Sequence, residues 1–403
     1  MNPVGIFIFL ATYVAISARR VGALGIERPT AALLGACACV AFGVVTPDAA
    51  LDAIDLGTLV LLFGVMGMGA FLVVDDFFGV LESRLDGLST SPHWVLGATV
   101  WGSGILAAFV TNDAVCLLAT PIVVRWVQRF DQPPTPFLLA LATGANTGSA
   151  ATLVGNPQNM LCGQLGNLGY GDYLWTAVPI TLLALAANHA VLHKVYRKSL
   201  HAKAAVSPAP TVAFSRDHGM TLTIILGTAV VYTVGGSLAW TAAAGFALLL
   251  VIHRKRAHAV WAHIDGSLLL FFAGLFVVVK GLQQSGATNW LFAHFPLAGL
   301  ASDHGMMGLA GLFLIGSNIV SNVPFILVVE EQIATLGDPT TAWTLLALVS
   351  TFAGNLTFLG SAANVIVAHE SRAVGGFGFW EHFKVGAPVA LISTAIAVGW
   401  MAL

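Results

Sequence analysis

The sequence predicts an all-α polytopic membrane protein: two inverted-topology repeats, each of about five transmembrane helices and one re-entrant hairpin, with two discontinuous helices in all. Three observations predict it. The 403 residues are 57% hydrophobic and 9% charged, with a mean hydropathy of +0.85. Apolar runs of the roughly 20 residues that a bilayer core demands recur from end to end. Three motifs appear twice in the same order.

The apolar segments lie at about 4–18, 30–46, 56–78, 94–126, 137–166 and 173–195, and then at 219–236, 238–252, 267–281, 305–331, 342–370 and 383–403. Between the two sets runs the polar stretch "RKSLHAKAAVSPAPTVAFSRDHG". The expected organisation is therefore an N-terminal repeat, 1–196, a cytoplasmic linker, 197–218, and a C-terminal repeat, 219–403. "IDLGTLVLLFGVMGMGAFLVV" matches "IDGSLLLFFAGLFVVVK", and "FVTNDAVCLLATP" matches "IVSNVPFILVVEE". "LLALATGANTGSAATLVGNPQN" matches "LLALVSTFAGNLTFLGSAAN" with a two-residue gap. Asp55 and Asp265, like Asn112 and Asn322, stand 210 residues apart.

Charge then sets the topology. Arg19, Arg20 and Arg28 place the first loop inside, "TPDAALDAID" places the second outside, and the third span ends inside. If residues 94–126 crossed once, Arg125 and Arg129 would be stranded outside. A hairpin with Thr111–Asp113 at its tip keeps them inside. The same logic puts "HRKRAH" inside and makes 305–331 a hairpin entering from outside, flanked by Asp303, Glu330, Glu331 and Asp338. Segments 137–166 and 342–370 cross once each, in opposite senses.

Non-helical backbone survives at membrane depth only inside protein or beside a wet cavity. Four stretches demand that shelter: the tips Thr111–Asp113 and Ser321–Asn322, and the Gly/Asn-rich "TGANTGSAATLVGNPQN" and "AGNLTFLGSAAN". Glycines and Pro157 unwind the helices. Each break leaves helix ends whose free N–H groups suit oxygen-rich solutes. Asn112, Asn146, Thr147, Asn156, Asn159, Ser321, Asn322, Asn355, Thr357, Ser361 and Asn364 are the candidate binding residues. Asp113 is the sharpest feature, because an ionised carboxylate mid-bilayer costs roughly 2.5–3.5 kcal/mol even on lenient scales.

Other signals are weaker. Asp75, Asp76, Lys280, Glu330 and Glu331 read as interfacial ends of spans. His189 and His193, one turn apart, read as a solvated face, and no metal site is expected. Cys37, Cys39, Cys116 and Cys162 read as buried small apolar residues. There is no Walker-type loop, so ion gradients must supply any work, and no cofactor is expected. Net charge near zero argues against nucleic acid as a partner. The absence of catalytic constellations at membrane depth argues against a membrane-embedded enzyme.

At the motifs "TNDAVCLLATP", "SNVPFILVV", "GNPQN" and "GSAAN" the chain resembles the ion transporter superfamily, over nearly its whole length. That group includes ArsB-like arsenite/antimonite permeases, the melanosomal P protein, sodium/proton antiporters and divalent anion/sodium symporters. The Asn112–Asp113 tip is similar to the ArsB-like branch. The symporters carry Ser-Asn-Thr at both tips, and here the third hydroxyl is lost twice. The resemblance implies an elevator-type secondary transporter in the plasma (inner) membrane, exporting neutral arsenite or antimonite trihydroxides in exchange for protons. It further implies a homodimer, and admits sodium as coupling ion and a cytoplasmic ATPase subunit as partner. On this reading Asp113 alternates between protonated and ionised forms while Asn112, Asn146, Asn322 and Asn355 contact the solute. The alternatives within the superfamily are an anion carrier, for di- or tricarboxylates or inorganic oxyanions, and a sodium/proton antiporter.

Overall fold

A computed structural model describes residues 1–18, 27–88, 91–201 and 212–403, the side chains of 85–88 and 303 excepted. Arg19, Arg20 and Lys203 lie outside the described residues, as does the centre of the expected linker. Among the described residues the structure is helical, without strands.

The first half comprises α1 (Pro3–Ala18), α2 (Arg28–Ala41), α3 (Pro47–Asp52), α4 (Leu56–Val74), α5 (Phe77–Leu88), α6 (Pro92–Phe109), α7 (Asn112–Arg129), α8 (Pro134–Ser149), α9 (Pro157–Leu165) and α10 (Tyr170–Tyr196). The second comprises α11 (Arg216–Thr233), α12 (Leu238–Ile252), α13 (Ala257–Val260), α14 (Gly266–Gln284), α15 (Ala287–His294), α16 (Leu297–Val320), α17 (Asn322–Ile333), α18 (Pro339–Ala353), α19 (Ala362–Glu370) and α20 (Phe379–Met401). Helix α11 opens at Arg216, inside the stretch assigned to the linker, because Ser215 and His218 form a capping box there. Helices α4, α10, α14 and α20 are long and apolar enough to cross a membrane, and α1, α2 and α12 are shorter apolar helices.

The repeat is written into the caps. Asp55 starts α4 by accepting from the Thr58 N–H, and Asp265 starts α14 by accepting from the Leu268 N–H. Proline occupies the first turn of both α8 and α18, at Pro134 and Pro339, where its missing N–H costs nothing. These prolines correct the sequence match. The two broken helices align without a gap at an offset of 205, so the "LLAL" coincidence lay two residues out of register.

Both expected hairpins form: α6 turns into α7 at Val110–Thr111, and α16 turns into α17 at Ser321. The broken helices are α8/α9 and α18/α19. Two packed groups result. Helices α1, α2, α4, α11, α12 and α14 pack on one another, while the hairpins and broken helices pack together with α10 and α20. Gly104 and Gly148 bring two helix backbones together in the second group, since a Cβ on Gly148 would lie 2.1 Å from the Gly104 Cα.

Two polar features differ from the sequence reading. Cys37 is exposed on the outside of α2, unlike the other three cysteines. Asp75 is not an interfacial end: its side chain is fully buried, pairs with Arg256 and accepts from the Thr221 hydroxyl at 3.1 Å. Arg256 also reaches Asp217 at 3.1 Å. Removing one partner of a buried ion pair strands the other charge. Because Arg256 itself is half-exposed, Arg256→Met is expected to cost about 2 kcal/mol rather than the full burial penalty, readable as a lower melting temperature of the purified protein.

Candidate functional site

The two breaks carry the same wiring. In the first, Asn156 caps α9 by accepting from the Asn159 N–H at 2.8 Å. Asn159 Nδ2 donates to the carbonyls of Ser149 and Thr152, at 3.5 and 3.0 Å, and its Oδ1 accepts from the Thr351 hydroxyl at 2.8 Å. In the second, Asn364 Nδ2 donates to the carbonyls of Gly354 and Thr357, at 2.8 and 3.3 Å, and its Oδ1 accepts from Asn146 Nδ2 at 3.0 Å. Every one of these residues is related to its counterpart by the 205-residue offset. Two hydroxyls tie the breaks to the hairpins. Thr152 donates to the Ala108 carbonyl at 2.6 Å and Thr357 to Asn318 Oδ1 at 3.0 Å.

Asn146 is the hub. Its Nδ2 also donates to Asn355 Oδ1 at 3.0 Å, and its Oδ1 accepts from Asn112 Nδ2 and from the Ser361 hydroxyl, both at 2.9 Å. Asn355 Nδ2 donates to the Thr147 hydroxyl at 2.9 Å. The structure thus brings Asn112, Asn146, Thr147, Asn355, Ser361 and Asn364 into one buried network. Asn156 and Asn159 fall in a second one with Ser149, Thr351 and Tyr173, whose hydroxyl accepts from Asn159 at 3.0 Å and donates to the Ala150 carbonyl at 2.9 Å. Ser149, Thr351, Tyr173 and Asn318 escaped the sequence reading. The gapless register, which sets Thr351 opposite Asn146, would have exposed the first two. Asn146→Leu removes four hydrogen bonds at once, and each orphaned buried partner costs about 1–3 kcal/mol. Its expected result is little folded protein, measured by size-exclusion yield.

Not every polar atom is satisfied. Asn112 Oδ1, Asn322 Oδ1 and Ser317 Oγ are buried without a hydrogen-bond partner. Ser321, at the second tip, sits at φ 70°, ψ 151°, a region nearly reserved for glycine, whereas Thr111 at the first tip has φ −57°, ψ 140°. The strain makes the second tip the costlier of the two to form.

A cavity of about 650 Å³ reaches the first tip. Thr111 and Asp113 line it together with Pro157 and Ala362, the first residues of α9 and α19, and with α4 and the start of α14. Arg28, His263 and Asp265 line it as well, residues of the face that the charge pattern assigns to the cytoplasm. Asp113 also faces the Ala363 amide, so a helix N-terminus and a basic side chain both look onto its carboxylate. Ser321, Asn322 and Thr357 do not line this cavity. On the opposite side Lys280, Glu330 and Glu331 border a smaller pocket of about 170 Å³ between α14 and α17.

A family model described as "CitMHS: Citrate transporter" matches residues 12–353. The chain belongs to the CitMHS family. Among the relatives of this CitMHS member is the silicon efflux transporter LSI3 of Oryza sativa subsp. japonica, 28% identical over 98% of this chain and 95% of that one. The putative transporter arsB of Dictyostelium discoideum is 25% identical over 93% of this chain and 87% of its own. An uncharacterized transporter of Mycobacterium tuberculosis is 29% identical, with 98% and 97% covered. The YdaH transporter of Alcanivorax borkumensis, solved with an unusual topology, superposes with a TM-score of 0.57 over 99% of this chain and 96% of its own, at 16% identity. These matches agree with the resemblance to the ion transporter superfamily. The CitMHS member is a multi-pass membrane transporter for small solutes.

Proposed function

We propose that the chain exports neutral trihydroxides of arsenic and antimony in exchange for protons, from a site between the two hairpin tips and the two breaks. The observation that carries this reading is the chemistry of the two unsatisfied amide oxygens at the hairpin tips. Asn112 Oδ1 and Asn322 Oδ1 are acceptors, and the cavity adds the Asp113 carboxylate. Acceptors call for a ligand rich in O–H donors. A trihydroxide offers three and carries no charge for Asp113 to repel. The relative named for silicon efflux fits the same logic, because silicon in neutral water is an uncharged tetrahydroxide.

In this scheme Asp113, on the cavity wall, meets the solute first, and Asn112, Asn322 and Ser321 reach it as the tips part. Asn146, Asn355, Asn364, Ser361, Thr147 and Thr357 follow as the first network opens, with Asn156 and Asn159 reshaping the second. Asp113 takes the proton. The hairpin-and-break group, residues of both 1–196 and 219–403, moves as a block past the group built on α4 and α14, in the manner of an elevator. The block belongs in the plasma membrane, within a homodimer.

Thiols do not serve as ligands. Cys116 and Cys162 are buried, and a thiolate would hold As(III) too long for release. The double variant Cys116→Ser/Cys162→Ser is expected to keep antimonite transport, and complete loss in well-folded protein would bring the thiols back.

A second reading, carriage of a carboxylate anion, is favoured by Arg28 in the cavity wall and by the two helix N-termini that face it. Uptake into inverted vesicles with and without a pH gradient separates the two. The first reading expects gradient-dependent antimonite uptake with no citrate uptake. Citrate or succinate flux with silent antimonite would establish the second.

A further inference from the structure

Helices α10 and α20 are counterparts at an offset of 209, which also superposes their internal prolines, Pro179 and Pro388. In that register His382 occupies the place of Tyr173, and the carbonyl facing it belongs to Asn355, as Ala150 faces Tyr173. Tyr173 fastens the first break through two hydrogen bonds. His382 fastens nothing here. It is fully buried, both ring nitrogens lack a partner, and the ring lies between Phe377 and Phe358, with centroids 6.0 and 6.2 Å away.

The means of fastening are nevertheless in place. A Cβ built on Gly386 would lie 2.1 Å from the Asn355 carbonyl oxygen and 3.1 Å from His382 Nδ1, so ring and carbonyl border the same point and only glycine leaves it open. The breaks also differ in cover: residues 152–154 are all buried, while their counterparts 357–359 are partly exposed.

We infer that His382 is a positioning residue, a releasable latch for the second break whose ring N–H bonds the Asn355 carbonyl in one state of the protein and is withdrawn in the state seen here. A buried ring donor left unmatched beside a carbonyl in one conformation favours a second in which the two are bonded. The first break, held by tyrosine, is the fixed one, and the second moves. This inference does not depend on the identity of the solute.

Hydrogen–deuterium exchange of the full-length purified protein reads both breaks at once. Residues 354–361 are expected to exchange about tenfold faster than 149–156, in proportion to their more frequent opening. His382→Tyr should slow 354–361 to the rate of the first break. His382→Phe, which keeps the ring and loses the donor, should not. Because His382→Tyr could fail to fold, the reciprocal Tyr173→His provides an independent arm and should speed exchange at 149–156. Equal exchange at the two breaks in the unaltered protein, or no response of either break to both exchanges of side chain, would overturn the latch.

Discussion

Asp113→Asn is expected to abolish all pH-gradient-driven antimonite uptake into inverted vesicles while leaving antimonite binding measurable. The substitution keeps size and hydrogen-bonding capacity at the tip, so α7 should still begin at Asn112 and the cavity should keep its shape. What disappears is the one carboxylate among the residues at the hairpin tips, together with its ability to alternate between charged and neutral forms. In a chain this apolar, a carboxylate at membrane depth is costly unless a function retains it. The neighbours fit that function. Arg28 and Asp265 line the same cavity as Asp113, so a small displacement of the hairpin relative to α2 and α14 changes the charges that face the carboxyl. Uptake that still followed the pH gradient in the variant would move the proton site elsewhere, with Asp265 the next residue to examine.

Gly148→Val is expected to prevent stable folding. The Cβ would meet backbone, at 2.1 Å from the Gly104 Cα and 2.3 Å from its carbonyl oxygen, and backbone cannot swing aside as a side chain can. Overpacking of this kind costs about 1–3 kcal/mol where neighbours yield, and more where they do not. Here the collision separates α6 from α8, and with it the first hairpin from the first break. Gly102→Ala, on α6 like Gly104, is the control, because a Cβ there would meet nothing within 4 Å. It should leave the melting temperature unchanged or raise it slightly. A Gly148→Val protein that melted like the parent would mean that the hairpin is not seated as described.

The architecture was legible in the sequence because lipid restricts it so strongly. Apolar length marks spans, and Asn, Asp or Gly in the middle of such a length marks a break. Both hairpins, both breaks and the repeat followed from that. The wiring was less legible. Asn146, Asn355 and Asn364 were recognisable as polar residues in oil, but sequence cannot distinguish a side chain that meets solute from one whose hydrogen-bonding groups are taken by neighbours. Asn159 shows the difficulty most plainly: it bonds the ends of its own break and Thr351, 192 residues away. Asp75 was misjudged for a related reason. Its position at the end of α4 suggested water, and its partner Arg256 lies 181 residues on, beyond any local pattern. Tyr173 carried no signal in the sequence, because its two partners, the Ala150 carbonyl and Asn159, are fixed only by the fold.

The unsatisfied amide oxygens of the two hairpin tips, Asn112 Oδ1 and Asn322 Oδ1, are acceptors, and the choice of an uncharged hydroxide as solute rests on them. The most direct test is the melting temperature of the purified protein in detergent at neutral pH, with antimonite or citrate added at equal concentration. A ligand that binds only the folded state raises that temperature, and by more the further its concentration exceeds its Kd. Antimonite should raise it, with the rise reduced in Asn112→Ala and Asn322→Ala, and citrate should leave it unmoved. Stabilisation by citrate with none by antimonite would contradict the assignment.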